Sequence, residues 1–275
     1  MSEKVFQKAL IHLYANIDRY SSYSEKIFEE FPLSLSEKQS LQELMTTQRD
    51  GLVAFNQQLH HKRCRIIRHA LPISRGTLRR QLDTLLDTYE CYPAAEGACQ
   101  PSDAVRCFAD YISSQIECQT EASRDLQFIR FEAIYASLSL HLASADSKPP
   151  HPVHLSAEIR LSSDRSTSLI LCTYNVLAAM KDPSLLKGSE GRLRPCWIFL
   201  FRTSADEVKA LAVAPKLAKI LKMFQSGLSL EDILNTLDSE TDKLAATVSV
   251  DGLLSLGVPF FCHTLSGDRL LNLAK

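Results

Sequence analysis

Glycine is scarce in this chain, with 9 in 275 residues. That argues against a scaffold that cradles a nucleotide on a glycine-rich loop. Gly188 and Gly191 sit in a polar loop without the Gly-Lys-Ser/Thr ending of a phosphate loop. Long apolar runs are missing as well: none reaches the roughly 18 residues a spanning helix needs. Met1–Lys4 lacks the apolar core of a secretory signal, which predicts a cytoplasmic protein with no membrane partner. Excess charge of either sign is absent, since Lys+Arg 31 balance Asp+Glu 32. No global field therefore steers the chain toward nucleic acid, and any electrostatic preference must be local. Catalytic signatures are lacking too, with no G-x-S-x-G elbow and no H-E-x-x-H pair.

Cysteine, by contrast, is plentiful: Cys64, Cys91, Cys99, Cys107, Cys118, Cys172, Cys196 and Cys262. Without a signal segment the expectation is free thiols in a reducing compartment. Cys91, Cys99, Cys107 and Cys118 follow no zinc spacing and include no Cys-x-x-Cys pair. They read as small buried hydrophobes.

A length of 275 residues predicts two units. From Val5 to Leu142 apolar residues recur at helical spacing. Leu10, Leu13 and Ile17 mark a first helix. Leu41, Leu44, Leu52, Phe55 and Leu59 lie on one face of a long second helix. Ser34-x-x-Glu37 and Ser36-x-x-Gln39 are overlapping capping boxes at its start, and Leu71-Pro72 ends it. Leu78, Leu82, Leu85 and Tyr89 define a third helix. Val105, Phe108, Ile112 and Ile116 define a fourth, capped by Ser102 or Asp103 after a loop at Tyr92–Pro101. Leu126, Ile129, Ala133, Ile134 and Leu138 define a fifth. The result is a bundle-like unit over 1–146.

Ser144–Pro152 is a stiff polar link. Beyond it Val153–Leu161, Ser168–Val176 and Trp197–Phe201 read as strands, and Ser204-Ala205-Asp206 turns the chain into Glu207–Val213. Helices follow at Pro215–Phe224, from the Ser229-x-x-Asp232 cap through Leu237, and at Glu240–Leu256. A closing strand covers Phe260–His263. The predicted class is α+β: a helical bundle followed by a winged-helix-like α/β unit over 147–275.

Two clusters bear on function. His60 and Cys64 share a helix face next to His61, which offers two metal ligands but no complete set. No acidic residue lies between Asp50 and Asp83, whereas Lys62, Arg63, Arg65, Arg68, Arg75, Arg79 and Arg80 all do. Such a block suits an acidic partner surface, a peptide or phosphates. The last long helix carries Glu240, Asp242 and Asp251 against Lys243, so it would repel DNA in the groove-reading position of a winged helix. The strand Glu207–Val213 beside that helix instead suits capture of a peptide as an added strand.

Trp197–Phe201, Val208–Val213 and the run Pro215–Leu234 together resemble the precursor recognition element of enzymes that modify ribosomally made peptides. Leu33–Leu41 through Leu59–Arg65, with His69–Pro72, is similar to helical domains found beside such elements. Proteins of this build are partner subunits of multinuclear iron-dependent oxidases that modify cysteine in precursor peptides. The 3-thiaglutamate type is the nearer match and the methanobactin type the second. The resemblance implies a non-catalytic heterodimer subunit: the oxidase holds the iron, and this chain holds no cofactor of its own. The implied leader groove lies between Glu207–Val213 and Glu240–Leu256, with Val208, Lys209, Leu211, Val213, Lys243, Leu244 and Thr247 lining it. Arg63, Arg65, Arg68, Arg75 and Arg79 are the expected docking surface for the oxidase. The competing expectations are a stand-alone regulator contacting nucleic acid through Lys62–Arg80 and a small-molecule enzyme using His60, His61 and Cys64.

Overall fold

The computed structural model describes residues 3–15, 28–89, 100–117, 123–140, 155, 159–161, 166–187, 195–203 and 206–262. Helix α1 (Glu3–Ala15) is followed by α2 (Leu35–Thr47) and α3 (Arg49–Ala70). The predicted single second helix is in fact these two, broken at Gln48, whose φ of −124° and ψ of 19° leave the helical region. Phe55 is exposed, while Leu41 and Leu52, on either side of the break, are buried with Ala9, Leu13 and Leu33 in a small core. Ser34 is the cap of α2. Its hydroxyl accepts from the Glu37 N–H and Glu37 reaches back to the Ser34 N–H. The Ser36 alternative is not used.

Leu71-Pro72 does end α3, but Pro72 also opens a short helix that the periodicity missed, α4 (Pro72–Thr77). Proline is tolerated at the first helical position because no N–H is needed there. Then come α5 (Arg79–Thr88), α6 (Pro101–Glu117) and α7 (Arg124–Leu140). Helix α6 starts on Pro101 itself, one residue before the predicted cap. Helix α7 is not amphipathic as expected. Leu126–Ile129, Phe131–Ile134 and Ala136–Leu138 are all buried, so it is a central helix packed on every side. The loop at Tyr92–Pro101 falls mostly outside the described residues, as do Ile17, the link Ser144–Pro152 and His263.

The C-terminal half contains β1 (Ile159–Leu161), β2 (Thr167–Cys172), β3 (Cys196–Arg202), β4 (Val208–Val213) and β5 (Phe260–Cys262). Strands β2-β3-β4 form an antiparallel sheet in that order, and β1 pairs separately with β5. The chain is thus α+β. Val176 is not the end of a strand: it opens α8 (Val176–Lys181), capped by the Asn175 side chain. Three helices follow β4, namely α9 (Pro215–Gln225), α10 (Leu230–Asn235) and α11 (Glu240–Ser255). Ser229 and Asp232 form the reciprocal cap of α10 that the sequence predicts. Gly257, at φ 82°, ends α11 in a conformation that costs other residues strain.

The sheet has a core on each face. Ile170, Cys172, Ile198 and Leu200 join Ile67, Leu82, Phe108, Phe128 and Ile134 in the helical core. Phe199, Phe201 and Val213 point the other way and pack with Leu221, Phe224, Ile233, Ala246 and Val250. Burial on both faces explains why Ile198–Phe201 is continuously apolar instead of alternating. Helix α7 lies against β2, β3 and β4, so bundle, sheet and C-terminal helices stack as three layers.

Candidate functional site: the free edge of β4 and the outer face of α11

Strand β4 is an edge of its sheet. Thr203 N–H donates to Glu207 O at 2.8 Å and closes the turn between β3 and β4. Bonded and non-bonded pairs alternate along an antiparallel ladder. With Arg202 opposite Val208, it is therefore Lys209, Leu211 and Val213 whose main-chain groups bond to β3. Those of Val208, Ala210 and Ala212 point outward. Tyr135 Oη on α7 donates to Val208 O at 3.4 Å, as this register requires. Among the described residues nothing bonds the outward groups of Ala210 and Ala212. The opposite edge is treated likewise: Arg130 Nη2 donates to Leu171 O on β2 at 2.7 Å. Helix α7 thus covers one corner of each edge and leaves the second half of β4 open.

The predicted strand residues separate by face. The Lys209, Leu211 and Val213 side chains lie on the side of the C-terminal helices; Lys209 is exposed, Leu211 half-buried and Val213 buried. Val208 turns toward the bundle instead and packs on its core. On α11, Leu244 is 66% exposed and Val248 63%, one turn apart on the same face. Val248 was not among the residues singled out from the sequence, although its spacing from Leu244 is the signal that marks it. Lys243 is half-buried and bonds Glu240 at 2.7 Å, and the Thr247 hydroxyl donates to Lys243 O at 2.9 Å. These two are satisfied within their own helix. Helix α11 makes its main contacts with α9 and α10. Lys216, just past the end of β4, pairs with Asp242 in the first turn of α11 at 3.1 Å. That exposed pair links the first turns of α9 and α11.

The basic stretch divides. Arg68, Arg75 and Arg79 converge with Leu82 and Asp83 around a cavity of about 560 Å³. Arg63 and Arg65 on α3 do not line it. The His60–Cys64 neighbours do meet, with Cys64 Sγ 3.4 Å from His60 Nε2. Burial, and then the charges of His61, Arg63 and Arg68, push the His60 imidazole below its ordinary range. Among the described residues no three or more of His, Cys, Asp and Glu gather in a metal-binding group. Cys172 and Cys196 carry free thiols. Cys172 and Cys196 face each other across β2 and β3, and burial raises the Cys172 thiol to about 11, which keeps it protonated and unreactive. Cys91, Cys99 and Cys118 lie outside the described residues.

No protein-family model matches the chain, and no curated protein matches it. No helix among the described residues is long and apolar enough to cross a membrane.

Proposed function

We propose that this chain is a peptide-binding subunit that receives the leader of a ribosomally made precursor along the open edge of β4 and presents the precursor's cysteine to an iron-dependent oxidase partner. In this reading β2–β4 and α9–α11 form a winged-helix-like recognition element. Two unused surfaces carry it: the outward main-chain groups at Ala210 and Ala212, and the exposed Leu244–Val248 stripe on α11. An added strand would supply hydrogen bonds to the first, while its alternate side chains cover the second. An open strand edge is otherwise a hazard for aggregation, as is an exposed apolar stripe. The resemblance of Trp197–Phe201, Val208–Val213 and Pro215–Leu234 to precursor recognition elements supports the same assignment and supplies the oxidase, its iron and the heterodimer.

Titration calorimetry with the precursor's leader peptide tests the reading. Ala212→Pro deletes an outward N–H and leaves the β3–β4 ladder intact. It is a cleaner probe than Val208→Pro, because the Val208 side chain packs on the helical core and its replacement would also disturb the fold. Leader affinity should fall about tenfold or more, as expected when a main-chain bond and the strand geometry around it are lost. Unchanged affinity in Ala212→Pro and in Leu244→Asp would show that the leader goes elsewhere.

A further inference from the structure

Pro72 breaks the path of α3, and the six-residue α4 swings the chain round before α5 begins. Arg68, Arg75 and Arg79, which an uninterrupted helix would string along one face over roughly 16 Å, are instead wrapped round one open depression of about 560 Å³, with Arg75 and Arg79 exposed at its rim. Asp83 organises two of them. Its Oδ1 lies 3.0 Å from Arg68 Nε and its Oδ2 3.7 Å from Arg79 Nε. Arg75 has no acidic partner among the described residues. Three guanidinium groups against one carboxylate leave the cavity with two uncompensated positive charges.

The local helix chemistry compounds this. Arg79 and Arg80 occupy the first turn of α5, which has no acidic residue and no side-chain cap. Cations at the positive end of a helix dipole are the reverse of the stabilising arrangement. An anion in the cavity would offset both the guanidinium charges and the dipole. Planar guanidinium forks favour oxyanions that accept two parallel bonds, and a residual charge of two matches a dianion.

We propose that this cavity is a binding site for a small phosphate-type dianion, either inorganic phosphate or the phosphate group of a monoester. The site is separate from the β4 edge and does not depend on the leader-binding reading.

Calorimetry on the full chain with inorganic phosphate and with glycerol phosphate tests it, thermal unfolding reporting that each variant is folded. Saturable one-to-one binding of either probe is expected. Arg75→Lys, which keeps the charge and loses the fork, should weaken it about tenfold or more, and so should Arg79→Ala. Arg65→Ala, outside the cavity, should change nothing. Tighter binding of the monoester assigns the remaining volume to an organic group, and equal binding assigns the site to free phosphate. No saturable binding of either probe overturns the proposal. So does equal weakening by Arg65→Ala and Arg75→Lys, which would reveal diffuse surface attraction, or binding of an oligonucleotide alone. Ala212→Pro should leave phosphate affinity unchanged, so failure here is distinguishable from failure of the leader site.

Discussion

Glu132, buried in α7 at 3% exposure, has no cationic partner among the described residues and spends its carboxylate on a neighbouring helix. Its oxygens accept from the Ile73 and Ser74 N–H groups at 2.8 Å each, and from the Ser74 hydroxyl. These are orphan donors at the start of α4, satisfied from another helix because Leu71 offers no side-chain cap. Glu132→Ala would strand them in the core. A loss of about 3 kcal/mol of unfolding free energy is expected, measured by urea denaturation. Burial raises the Glu132 pKa above its ordinary 4.5 despite these bonds. A raised folded-state value means the contribution is fully present below 4.5 and is lost as pH rises through the folded value. Wild type should therefore gain stability relative to Glu132→Gln as pH is lowered from neutral toward 4.5. A difference that stays flat or reverses would show that the hydrogen bonds outweigh desolvation.

At the scale of elements, α11 separates stability from binding. Its inner face, Ala246, Val250 and Leu253, is buried against the C-terminal core, whereas Leu244 and Val248 face outward. Replacing Leu244 and Val248 with Asp should change unfolding free energy by no more than about 0.5 kcal/mol per site, since exposed positions tolerate substitution. The same double variant should lose leader binding. If stability falls sharply instead, the stripe belongs to the fold. Gly257 is a second element-level constraint. Its φ of 82° strains any residue with a side chain, and a Cβ added there would lie 3.5 Å from Thr203 Cβ, an ordinary contact. Gly257→Ala should therefore destabilise the α11 terminus by about 1 kcal/mol through backbone strain, readable in thermal unfolding.

For the whole molecule the decisive feature is a sheet buried on both faces. Ile170, Cys172, Ile198 and Leu200 contact the helical layer, mainly through α7, and two α7 side chains bond the sheet's outward carbonyls. A fragment containing only residues 155–275 would expose that whole face. It should bind a hydrophobic dye and unfold without a cooperative transition, whereas the full chain should unfold cooperatively. Leu200→Ala in the full chain should cost about 2–5 kcal/mol, because the cavity opens between tightly packed layers. A cooperative, dye-free fragment would show that the recognition unit stands on its own.

Caps, breaks and strand runs were legible in the residues because their causes are local. Ser34 with Glu37, Ser229 with Asp232, and Leu71-Pro72 each act within a few residues through hydrogen bonds or sterics. The apolar runs at β2, β3 and β4 declared themselves by side-chain type. The short α4 and α8 stayed hidden, since six residues hold too little periodicity to register. Long-range relations were equally invisible. The spacing of Arg68, Arg75 and Arg79 would set them on one helical face, but nothing in it says that they surround one depression across the Pro72 break while Arg63 and Arg65 stay outside it. Strand alternation puts Val208 and Leu211 on opposite faces, but nothing local says which of them meets the bundle. The sequence by itself determined most of the longer helices and strands, how several are capped, and that positive charge concentrates before Asp83. Only the tertiary structure decided that α7 is central, that the sheet is buried twice, and which half of β4 stays open. Those outcomes depend on how layers pack across large separations in the chain, and such contacts leave no periodic trace in the residues that make them.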